Sequence, residues 1–326
     1  MTLTEAHTSD TPIPPITLLG PQRKPTLAAA LRRLDLDGKP LASVTAGWQD
    51  RESDVGELNE YLGDSGVNLN LWQRWQEVLE HDPELAEADR VRRETRDEIQ
   101  DLYLIGVSHA RAALFEMEQL PDRRPSLVER AVEDAVEVLQ GLDAKHLTRV
   151  AEIENTFYAR TAPHERPTMA RHRAEVRDQV AQCAGVVIAG GHVAVLLDML
   201  HAFNLAPLLT ERPVVAWSAG AMALTDRVVL FNDRSTGIHT DPEVYTQGLG
   251  LVRDVVALPG ARQRLMLNDA HLMGSLVKRF APSHCLPLDP GARVECDRDF
   301  RLPEGTPVLT ESGGIAPLRR EVESVD

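Results

Sequence analysis

Cysteine is scarce in this chain: its 326 residues hold three, Cys183, Cys285 and Cys296. An odd number without C-x-x-C spacing argues against a disulfide framework and suits a reducing, cytoplasmic setting. Long apolar runs are missing too, and no window reaches the length of a membrane-spanning helix. Positive charge is in deficit, 35 Lys and Arg against 50 Asp and Glu, giving a formal net charge of −15. That balance argues against nucleic acid or an anionic membrane as partner, since either requires a basic face. The first ten residues lack the charged-then-apolar pattern of a signal peptide, and residues 1–14 are expected to be a disordered tail. The dinucleotide fingerprint G-x-G-x-x-G is absent. His81, His109 and His146 lack the i,i+4 spacing of a helical metal pair, and His284 stands at irregular spacing from Cys285 and Cys296. Neither a metal nor a cofactor is therefore expected.

What is present is enough for a sizeable core. The apolar fraction is 43%, which argues against wholesale disorder. Ile16–Leu19 reads as a strand running into a Gly20-Pro21 turn, residues 25–34 as a helix, Leu41–Gly47 as a second strand and residues 55–62 as a second helix. Strand, helix, strand at this spacing predicts right-handed crossovers and a parallel sheet. From residue 69 to about 160 the strand signal nearly vanishes. A charged helix opens at Pro83 and runs to Leu120, and residues 121–125 break it. Ser126 and Glu129 have the spacing of a capping box, ahead of a helix with the apolar stripe Leu127, Val128, Ala131, Val132 and Ala135. Gly141 is expected to kink or end that helix. Two long helices joined by a short Pro-bounded turn predict an antiparallel hairpin.

Strand signals return at 185–189, 214–217, 227–231 and 254–258, with 232–246 reading as a polar loop and 262–280 as a helix. Short strands near 284–288, 292–296 and 307–310 read as an antiparallel edge. The expected fold is α/β, a mainly parallel sheet with helices on both faces. Residues 15–64 and 161–326 form that domain, and residues 65–160 a helical insertion suited to covering a site or meeting a second copy.

The stretch with most chemistry is Val214-Val215-Ala216-Trp217-Ser218-Ala219-Gly220-Ala221. A buried strand ends at a serine followed by small residues, as suits a sharp strand-to-helix turn. Such a turn lifts a Ser Oγ clear of the sheet, and the N–H groups after it point at an anion forming on a bound carbonyl. A helix-capping serine fits the same spacing. Upstream, Gly185-Val186-Val187-Ile188-Ala189-Gly190-Gly191-His192 is another buried strand running into a glycine pair. Strand, Gly-Gly, helix, strand and Ser-Ala-Gly-Ala together resemble the S51 peptidase family of aspartyl dipeptidases and cyanophycinases. Gly248-Leu249-Gly250-Leu251 matches a turn common in that family. The likeness covers residues 183 to about 310 well and 15–62 loosely.

The resemblance implies a class I glutamine amidotransferase-like, flavodoxin-like fold and a serine hydrolase acting on a peptide or amide bond. Ser218 would attack, and the Gly191 and Ala219 N–H groups would hold the oxyanion, with Gly190 beside them. Two positions depart from the family pattern. Gly260 stands where the family has its histidine, and Pro290 falls on the expected acidic residue. A substitute base is expected at His192, at a helix start, or His239, two residues before Asp241. The alternative is a non-catalytic binding or scaffold protein that keeps the pocket. The expected partners are a small peptide or amide ligand and a second copy joined through the insertion.

Overall fold

A parallel strand can be followed by another only if the chain crosses back over the sheet, and helices serve that crossing. This computed structural model describes residues 15–22, 26–120, 123–231 and 242–319. Its first crossing is β1 (Ile16–Leu19), α1 (Leu27–Arg33) and β2 (Leu41–Val44), followed by α2 (Gly56–Tyr61) and β3 (Gly66–Asn68). Then come α3 (Leu71–His81), α4 (Pro83–Glu118), α5 (Pro125–Thr161) and α6 (Pro167–Ala181). The second half runs through β4 (Gly185–Ile188), α7 (Val193–Ala202), α8 (Ala206–Leu209), β5 (Val214–Trp217) and α9 (Ala219–Leu224). After β6 (Arg227–Leu230), β7 (Glu243–Gln247) and β8 (Val255–Pro259) it continues with α10 (Ala261–Arg264) and α11 (Ala270–Phe280). It closes with β9 (His284–Leu288), β10 (Arg293–Glu295), β11 (Pro307–Leu309) and β12 (Ile315–Pro317). The N-terminal tail expected over 1–14 lies outside the described residues.

The central sheet has six strands in the order β10-β1-β5-β4-β2-β3, parallel throughout except for β10, which pairs antiparallel with β1. All four residues of β1, β2, β4 and β5 are buried, as a sheet covered on both faces demands. Alternate residues part to opposite faces. Ile16, Leu18, Val186, Ile188, Val214 and Ala216 pack with Leu196, Val176 and Leu71 from α7, α6 and α3. Leu19, Val187, Val215 and Trp217 pack with Leu27, Leu31 and Leu58 from α1 and α2. The α/β class with helices on both faces is therefore as the sequence predicts.

Five expectations need correction. The insertion begins after β3, a three-residue edge strand pairing parallel with β2, so the sheet takes a strand from residues 66–68. Helix α5 starts at Pro125 with Arg124 as its cap position and no side-chain capping bond, so the Ser126–Glu129 box does not form. It then runs unbroken through Gly141. The polar loop expected up to 246 ends in β7, paired antiparallel with β6 across a bulge. The helix expected over 262–280 is split into α10 and α11.

Helices α4 and α5 form the antiparallel hairpin. Their seam is Tyr103, Val107 and Leu114 against Ala135, Val136 and Leu139. The stripe near the tip is less covered than expected, Leu127 being 60% exposed. Polar contacts fasten the hairpin to the core along its length. Arg92 and Arg96 reach Asp198 of α7 at 3.0 and 2.9 Å. Arg279 of α11 meets Asp143 at 2.7 Å, and the Tyr103 hydroxyl donates to Asp143 while accepting from the Val244 N–H. Near the tip, the Ser275 hydroxyl donates to Glu118 at 2.7 Å.

Candidate functional site

Three strand ends meet at the C-terminal edge of the sheet. β5 ends at Trp217, Ser218 takes φ 51°, ψ −118°, and α9 begins at Ala219. This backbone region is almost closed to residues with a Cβ, and it turns the serine sharply out of the strand. The turn is possible because the neighbouring chain is glycine. A Cβ on Gly190 would lie 3.1 Å from the Ser218 Cβ, and one on Gly220 would lie 2.5 Å from the Ile188 carbonyl oxygen. Gly191, at φ +121°, rests on Gly47, three residues past the end of β2, whose carbonyl accepts the His192 N–H at 2.8 Å. Backbone contact thus locks the ends of β2, β4 and β5 together.

Above them opens a cleft of about 760 Å³. Gly190, Gly191, His192, Ser218 and Ala219 line it, so the structure brings together all the predicted site residues that it describes. Among the described residues, the Gly191 and Ala219 N–H groups make no hydrogen bond, nor does the Ser218 hydroxyl. Donors free at the start of a helix and beside a strand end are what an oxyanion or carbonyl oxygen needs.

The serine's activation is another matter. His192 is in the cleft wall, but its Nδ1 accepts the Val195 N–H at 3.4 Å as the cap of α7. A neutral ring capping in this way carries its proton on Nε2, and so has no free lone pair for the serine proton. His239, the other predicted base, lies outside the described residues. Gly260 also lines the cleft, at the end of β8 with φ 68°, and the nearest atom to a Cβ there is Pro21 Cγ at 3.8 Å. A Cβ at this position would thus be uncrowded, although the positive φ strains any residue other than glycine there. The acidic side chain nearest in sequence to Pro290 is committed elsewhere. Asp289 accepts the Arg262 N–H at 2.9 Å and pairs with its guanidinium at 3.2 Å.

Sequence reasoning missed several cleft residues. Asp97 comes from α4, so the helical insertion supplies a charge to the cleft. Gln22, Trp48, Tyr245 and Arg264 line it as well. The Arg264 guanidinium lies 5.5 Å from the Phe231 ring centroid, and Arg96 lies 5.5 Å from that of Tyr245. Burial raises the Tyr245 pKa, so its hydroxyl stays protonated at neutral pH. No signal in the chain marks these residues, since each arrives from an element distant in sequence.

Cys183, Cys285 and Cys296 are all buried and free, and burial pushes the Cys285 and Cys296 thiols up to about 12. Among the described residues no three His, Cys, Asp or Glu side chains gather as a metal site, and no helix is long and apolar enough to cross a membrane. No protein-family model matches the chain, and no curated protein matches it significantly.

Proposed function

We propose that the protein binds a small peptide, amide or carboxylate ligand at the Ser218 turn, in a pocket of the class I glutamine amidotransferase-like, S51 type, and hydrolyses it slowly or not at all. The observation that carries this reading is the pairing of free Gly191 and Ala219 N–H groups with a serine that has no base among the described residues. Backbone donors survive the loss of a triad, and they hold a carbonyl or carboxylate oxygen without help from the side chain. An unassisted serine hydroxyl keeps its proton at neutral pH and attacks poorly. Losing one member of a triad typically costs several orders of magnitude in rate.

A second reading, an active serine hydrolase, draws on the strained Ser218 backbone, because such torsions cost about 1–3 kcal/mol and are usually retained for a use. His239 would then supply the base. Labelling with a serine-reactive fluorophosphonate separates the two. The binding reading expects little labelling of the wild type, together with saturable binding of short peptides or carboxylates that Ser218→Trp abolishes. It also expects Gly260→His, which places an imidazole at that uncrowded position, to raise Ser218-dependent labelling. Rapid wild-type labelling lost in both Ser218→Ala and His239→Ala would establish the hydrolase instead.

A further inference from the structure

Among the described residues nothing covers the outer face of the α4–α5 hairpin, and its apolar residues fall in register. Val91, Leu102 and Ile105 on α4 and Leu127 and Val138 on α5 are between 47% and 66% exposed. On α4 they share a face with Thr95, Glu98 and His109, spaced three or four residues apart; on α5 the matching row is Leu127, Ala131, Asp134, Val138, Gly141, Lys145 and Arg149. Both rows open to the same side, since Val91, Thr95 and Ile99 line one groove of about 550 Å³ with Arg149, Ile153 and Thr156. Contacts within the hairpin fix the levels. Arg92 meets Glu154, Tyr103 meets Asp143, and Gly106 faces Leu142. Glu98 is therefore level with Arg149, and Ile105 with Gly141.

We infer that this face is where a second copy of the chain docks, forming a four-helix bundle about a two-fold axis parallel to the hairpin. Under that operation α4 of one copy lies on α5 of the other at the same level. Glu98 then meets Arg149, and Ile105 enters the gap over Gly141. Two observations select a second copy as the occupant. Among the described residues, Glu98 and Arg149 have no ion-pair partner within the protomer, and the symmetric pairing brings these two opposite charges together. Among the described residues nothing lies within 4 Å of where a Cβ on Gly141 would be. A glycine inside a long helix weakens it, and a gap beneath a facing side chain gives it a use. Residues 91–112 span about 32 Å at 1.5 Å per residue. Two helices wide, that face gives on the order of 600 Å² per copy, enough to clear the roughly 1,000 Å² total of a specific interface.

Sedimentation equilibrium of the full chain tests the proposal. The wild type should show twice its 36.0 kDa mass at about 50 μM. Leu102→Glu with Ile105→Glu should weaken association at least about 100-fold with helix content unchanged. Gly141→Gln should weaken it about tenfold while leaving the melting temperature of the monomer equal or higher, Gln being the better helix former. Glu98→Arg should also weaken it, and adding Arg149→Glu should restore it, which no merely structural role predicts. A 36.0 kDa species at every concentration, or a dimer indifferent to these changes, would overturn the proposal. So would an apolar helix of another protein found as the only occupant of this face.

Discussion

Ser218 and Gln49 share a backbone conformation that few L-residues adopt, φ 51°, ψ −118° and φ 54°, ψ −123°. Ser218 directly follows β5, and Gln49 lies five residues past β2. Glycine would relieve the strain of about 1–3 kcal/mol and lose part of that gain, about 0.5–1 kcal/mol, to its freer unfolded chain. Ser218→Gly should therefore raise stability in urea denaturation by about 1 kcal/mol, whereas a fall would mean that the turn holds no strain. The Ser218 turn was legible because a short apolar strand runs into a serine followed by Ala219-Gly220-Ala221, a pattern shared only with a capping serine. Gln49 was not: nothing in Gly-Trp-Gln-Asp marks a strained residue. Distant contacts hold that loop, with the buried Glu52 carboxylate accepting the Trp72 and Gln73 N–H groups at 3.1 and 2.9 Å.

Among the elements, the hairpin depends most on one buried pair. Arg279 and Asp143 are each 3% exposed and join α11 to α5, with Tyr103 of α4 bonded to both. Arg279→Ala strands a buried carboxylate and should cost about 3–5 kcal/mol in thermal or urea unfolding. Arg279→Met with Asp143→Leu should cost less than that single change, since no charge is left alone. A double variant weaker than the single one would show that the pair itself stabilises the fold. Both long helices were legible from their apolar period. Gly141 misled because the cost of a helical glycine is small beside the packing of Val136, Leu139 and Val150 around it. Strand β7 escaped notice because, of its five residues, only Val244 is fully buried, and its pairing with β6 is bulged.

For the molecule as a whole, the alternation of strands and helices was written in the sequence, but the contribution of the insertion to the cleft was not. Asp97 reaches the cleft only because α4 is held against α7, through Arg92, Arg96 and Asp198. Burial alone would raise the Asp198 pKa, and the two guanidiniums outweigh it, leaving the carboxyl at about 2. A carboxyl with a depressed folded pKa contributes stability that is complete above its unfolded value and is lost as pH falls through the folded one. Denaturation midpoints should therefore fall between about pH 4 and pH 2, with on the order of 2 kcal/mol from this group. Asp198→Asn should be less stable at pH 7 and show a shallower fall over that window; parallel curves would remove Asp198 from the explanation.

The spread of those fastenings has a consequence for how the chain comes apart. Asp198 grips the hairpin at Arg92 and Arg96, Val244 and Arg279 together grip it at the level of Tyr103 and Asp143, and Ser275 grips it at Glu118. Releasing the buried pairs one at a time leaves a charge without its partner, so partial detachment is unfavourable at every intermediate stage. The insertion is continuous in sequence, and these contacts predict that it unfolds together with the core. Calorimetry should record one transition whose van't Hoff and calorimetric enthalpies agree, and two resolved peaks would refute this. The pocket then has no partly folded refuge: a lesion near the hairpin tip lowers the population of the entire native chain, and Ser218 loses its surroundings in the same step.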